Sequence, residues 1–207
     1  MARLSAAQQS ARQLCGLVSG YYVSQTPDTD CQQAVQLFRQ LFAQAKLDVL
    51  GAALHDMSEH IRGSTELQEK FLFHLTGQQL AEVYEAASDP AVKESIADLL
   101  HEAEQLRELL LKAWQRQDLA EAAMIYGSVY ASDWAVPPLG GHGGYGGDVR
   151  GDALNCLPLE LLRTLRDHDW PLDYPDPPSW SGEPKGKHRG IRLWLKDEVE
   201  DLEADEL

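Results

Sequence analysis

Residues 88–114 read SDPAVKESIADLLHEAEQLRELLLKAW, and their spacing decides the fold class. Val92, Ile96, Leu99, Ala103, Leu106, Leu110 and Ala113 recur at alternating steps of four and three over three heptads, which puts them on one face of a helix. Ser88-Asp89-Pro90 opens the run as helices open. A capping side chain precedes a proline, whose missing N–H is no loss in the first turn. Between the apolar positions lie Lys93, Glu94, Asp98, Glu102, Glu104, Arg107, Glu108 and Lys112, a solvated face. The pattern predicts one long helix at the centre of a bundle. The same seam repeated on a second copy would form a homodimeric coiled coil, for which three heptads is the lower limit.

Helical spacing continues towards the N-terminus. Ala7, Ala11, Leu14, Val18 and Tyr21 form one stripe that stops near Thr26-Pro27. Asp30 is a plausible cap for a second helix carrying Ala34, Phe38, Leu41, Phe42 and Ala45. Leu47, Leu50, Leu54, Met57 and Ile61 make a third, with Gly63 where a C-terminal cap belongs. Ser64 and Thr65 open a fourth segment with Leu67, Phe71, Leu72 and Leu75. Gly77 interrupts it before Leu80, Val83, Tyr84 and Ala87, so one kinked helix or two short ones fit. After the heptads, Leu119, Ala122, Ala123, Tyr126, Val129 and Tyr130 mark a last helix.

Beyond Ser132 the character changes. VPPLGGHGGYGGDVRGD cannot hold a helix, because its prolines remove donors and its glycines carry a large backbone-entropy cost. A short helix is predicted at about 157–168, then proline-rich extended chain. IRLWL at 191–195 reads as a brief strand or an apolar anchor, and the closing KDEVEDLEADEL, with seven acids against one lysine, as a solvated or disordered interaction tail. The expectation is therefore an all-α protein. A bundle of about five to seven helices spans residues 1–131, and an irregular Gly/Pro/Trp-rich arm with one short helix and an acidic tail spans 132–207.

The formal charge of −15 opposes direct binding to nucleic-acid phosphates, which requires lysines and arginines to displace counterions. It opposes anionic membranes for the same reason, and no run approaches the roughly 18 apolar residues of a spanning helix. Three cysteines far apart, Cys15, Cys31 and Cys156, suit a reducing compartment, so the expected location is cytoplasmic.

Candidate chemistry is sparse. HDMSEH at 55–60 sets His55 over Glu59 and Asp56 over His60 on one helix, but the Glu-x-x-His of carboxylate-bridged bundles and the His-Glu-x-x-His of zinc proteases are both missing from the sequence. Neither a metal nor another cofactor is expected. His74 and His101 fall within or beside apolar stripes, where a hydrogen-bonded boundary histidine is the ordinary outcome. His142 sits in the glycine stretch, which matches neither the dinucleotide fingerprint nor the phosphate loop. Cys156, which follows Asn155 near the exit of the glycine stretch, reads first as a buried small hydrophobe and, as the alternative, as the one candidate reactive thiol. Four of the five tryptophans fall in the last third with eight of the ten prolines. Rigid aromatics among prolines suit peptide recognition, and Trp134, Tyr145, Trp170 and Trp180 are the candidate partner contacts. The alternative is that these rings pin the arm to the bundle, and exposure separates the two.

The expected function is a non-enzymatic protein-binding adaptor or escort of chaperone-like kind, its partner another protein with a basic surface. The alternatives are a small enzyme or ligand-binding protein with its site at the glycine-rich loop, and an acidic mimic of nucleic acid.

Overall fold

The structure, a computed structural model, describes residues 4–20, 28–135, 157–170 and 189–205. Among them every regular element is helical. In chain order these are α1 (Ala6–Ser19), α2 (Asp28–Ala43), α3 (Leu47–Arg62), α4 (Thr65–Lys70), a 3₁₀ turn (Leu72–His74), α5 (Gly77–Ala86), α6 (Pro90–Leu99), α7 (Ala103–Gln115), α8 (Leu119–Ala135), α9 (Leu159–Arg166) and α10 (Arg189–Asp205). The chain divides into two compact units, Met1–His101 and Glu102–Leu207.

The first unit is organised around α3. Leu50, Leu54, Met57 and Ile61 have no exposed surface, and α1, α2, α4, α5 and α6 all pack against this one helix. Gly51 sets how closely they come. A β-carbon there would lie 3.2 Å from Val92 Cγ1, 3.7 Å from Val83 Cγ1 and 3.8 Å from Ile96 Cδ1, so α5 and α6 are seated on backbone that carries no side chain.

The helix starts are specified locally. Ser5 with Gln8 and Thr76 with Gln79 form reciprocal capping boxes on α1 and α5, and Asp89 accepts from Ala91 N–H at 3.0 Å ahead of Pro90. Each satisfies N–H groups that lack an intrahelical partner. Gly77, read in the sequence as an interruption, is the first residue of α5. Two helix ends are less legible. α2 and α7 close by the same device, with Lys46 N–H donating to Leu41 O and Asp118 N–H to Ala113 O, both at 3.0 Å. This puts Ala45 (φ 53°) and Gln117 (φ 60°) in the left-handed region, where a glycine is usual. Conversely Gly63 follows α3 in right-handed conformation, φ −77°, so its freedom is not used.

The continuous helix predicted over residues 90–113 is broken. Leu100 turns extended, with φ −65° and ψ 126°, and Glu102 caps the next helix at φ −116° and ψ 120°. Leu99 and Leu100 are adjacent and both buried; turning the backbone after Leu99 serves both. Val92, Ile96 and Leu99 then belong to the first unit, and Leu106, Leu110 and Ala113 to the second. The seam an intermolecular coiled coil would need is not continuous. With this break, and with the fourth segment parted into α4 and α5 by a 3₁₀ turn, eight α-helices stand among the described residues before 136, where five to seven were expected.

In the second unit α7 packs on α8, and α9 on α10. The predicted short helix at 157–168 is α9. Of the strand or apolar anchor read at 191–195 the anchor holds: residues 189–205 form one helix, α10, in which Ile191, Leu195 and Val199 are buried at steps of four, so the acidic tail through Asp205 is helical and not disordered. Charged residues between the anchors conceal this spacing.

The seating at Gly51 predicts an asymmetric response to size. Gly51→Ala should change stability by less than about 1 kcal/mol, since the gain in helix propensity offsets a contact that a valine methyl can relieve. Gly51→Leu should destabilise by roughly 1–3 kcal/mol through overpacking. Urea denaturation of both variants checks the difference.

Candidate functional site

Trp170 occupies the interior of the second unit. It is 3% exposed, its indole N–H donates to Leu165 O at 3.0 Å, and its ring lies 6.2 Å from that of Tyr126 on α8 and 5.1 Å, edge-on, from that of His168. The chain reaches this place because α9 ends at Asp167 and Trp170 N–H closes a turn onto His168 O at 3.1 Å. The ring thus pins the turn after α9 to α8. The Trp170 ring is packed inside this unit and not on its surface: aromatic side chains bring large apolar areas, and here that area is used in the interior. Trp134 lies near the end of α8. Tyr145 and Trp180 fall outside the described residues, as do His142, Cys156 and the glycine stretch.

The acid and imidazole pairs of HDMSEH are redirected across the bundle. His55 Nδ1 meets Ser95 Oγ of α6 at 2.8 Å, while Glu59 pairs with Arg62 and Arg62 with Asp98. These bonds stitch α3 to α6 along one polar edge. The Ser95 and His55 pairing has the composition of a nucleophile and its base, but not the setting. Ser95 is 8% exposed in mid-helix, where neighbouring N–H groups serve the helix and cannot form an oxyanion hole. Among the described residues, no carboxylate hydrogen-bonds the His55 ring. No three His, Cys, Asp or Glu side chains there are placed to hold a metal ion. Sequence spacing could not have found Ser95 or Asp98, because both partners lie more than 35 residues away on another helix.

His74 is exposed in the 3₁₀ turn, where its carbonyl accepts from Arg39 Nη2 at 3.0 Å. His101 lies 5.3 Å from the Phe73 ring, and Phe73 is 49% exposed. Burial pushes the Cys15 thiol up from its usual range, with Asp56 adding to the effect; Cys15 Sγ donates to Ala53 O at 3.6 Å. Burial likewise raises the Cys31 thiol. Both stay neutral at physiological pH, the opposite of an activated nucleophile. Among the described residues no helix is long and apolar enough to cross a membrane.

Removing the Trp170 ring should cost about 3–5 kcal/mol and lower the thermal midpoint, with Trp170→Phe in between because the bond to Leu165 O is lost. Melts followed by circular dichroism test this; a Trp170→Ala variant as stable as the parent contradicts the assigned role.

Compared with known protein families, with curated proteins and with solved structures, the chain finds no match in any of the three.

Proposed function

We propose that this chain is a non-enzymatic adaptor or escort, chaperone-like in holding another protein without transforming it. The observation that carries the reading is the make-up of α8. Of its 17 residues only Glu121 and Asp133 are charged. Ala122, Ala123, Ile125, Tyr126 and Gly127 are all buried, which at 3.6 residues per turn spans more than half the circumference. An ordinary surface helix buries one stripe and leaves the rest polar. Val129, Tyr130 and Trp134 follow in the same helix, with Ser132 and Asp133 before the last of them, and the sequence runs straight into the proline- and glycine-rich stretch, a combination suited to peptide or helix recognition.

In this reading Trp134, Tyr145 and Trp180 contact the partner, while Trp170 holds the α9 turn against α8. The charge of −15 steers a basic partner towards the chain, so association weakens as salt rises. A cytoplasmic location goes with this function.

The test places a photo-crosslinking phenylalanine at position 134 and, as a control, at exposed Glu82. A discrete protein should crosslink from 134 and not from 82 in cells of the source organism. Recovery of that protein should fall at least tenfold when Trp134 and Trp180 are both replaced by alanine, the scale expected of interface hot spots, with the helical spectrum unchanged. Undiminished recovery by a folded double variant overturns the reading.

A further inference from the structure

Helix α10 runs against its own dipole. Its first eight residues include Arg189, Arg192 and Lys196, and its last nine carry acids at 197, 198, 200, 201, 203 and 205. The N-terminal end of a helix is the positive end and favours anions; the C-terminal end favours cations. Both ends of α10 therefore oppose the charges they carry, and a 17-residue helix of this kind is not stable in isolation.

What keeps it helical is found on α9. Ile191, Leu195 and Val199 of α10 and Leu161, Leu162 and Leu165 of α9 are all buried, and the two helices pack on each other. Across this contact Arg163 makes two hydrogen bonds to a single carboxylate oxygen: Nε and Nη2 donate to Glu203 Oε1 at 3.0 and 2.7 Å. The third nitrogen, Nη1, donates to Glu160 at 2.6 Å, which fixes the guanidinium on its own helix. Glu203 lies in the last turn of α10, where its charge most disfavours the helix. This bridge thus offsets the least favourable part of the element.

From this geometry we infer that α10 is a releasable cover over the leucine face of α9, latched by Arg163 and Glu203. It opens as a unit while α7 and α8 stay folded. Opening bares Leu161, Leu162 and Leu165, the apolar face that α10 covers. The inference rests on α9 and α10 alone and is independent of the contact assigned to Trp134.

Hydrogen exchange on the full chain tests it. Glu203→Arg removes an acid from the C-terminal end, which by the dipole alone should steady α10, but it sets Arg against Arg163. Exchange in residues 189–205 should rise about fivefold, the scale of a partly exposed ion pair, without change in 103–127. Adding Arg163→Glu should restore it. Raising salt to about 0.5 M, which shortens the range of charge interactions to a few ångströms, should accelerate the same segment in the parent protein. Unchanged or slower exchange in α10 of the Glu203→Arg variant overturns the latch. A rise shared equally by α7 and α8 overturns the independent opening.

Discussion

The first unit depends on the enclosure of α3. A helix with seven buried positions among sixteen needs cover on most of its surface, and five other helices supply it. α1, α4, α5 and α6 are capped by their own residues, and helices of these lengths draw most of their stability from packing. Their apolar stripes are therefore satisfied only by closing on α3. The absence of a β-carbon at Gly51 sets the distance of that closure, and the bond from His55 to Ser95 and the Glu59, Arg62 and Asp98 chain fix its polar edge.

The break after Leu99 follows from the same requirement. Leu100 is fully buried, so the chain turns there to complete the first core, and the second half of the heptad run serves a different unit. Heptad spacing survives the break because each half is amphipathic in its own right. The second unit solves its packing differently, with an apolar α8, a buried Trp170 bridging to α9, and α9 paired with the charge-opposed α10.

Local signals carried most of what the sequence made legible. The stripes on α1 to α3, the Asp89 cap with Pro90, and the short helix at 159–166 depend on neighbours within a few residues, and they were readable. The turn at Leu100 was not, since periodicity carries no mark of which core a face will join. The ends of α2 and α7 were hidden because Ala45 and Gln117 stand where glycine normally signals the left-handed residue. α10 was hidden by charge, its three anchors lying four apart between acids and bases. At the candidate site, aromatic enrichment in the last third was visible, but the sequence could not distinguish a ring turned inward, as Trp170 is, from one turned outward. The pairing of Arg163 with Glu203, 40 residues apart, had no local signal at all.

Closure of the first core within its own residues is tested most directly by expressing Met1–His101 alone and following its thermal unfolding by circular dichroism. If α3 is enclosed by elements of this segment, the fragment is helix-rich and melts in one cooperative transition, and Leu54→Ala lowers its stability by about 2–5 kcal/mol. A fragment without helical signal, or one that loses it gradually with no transition, would contradict the account.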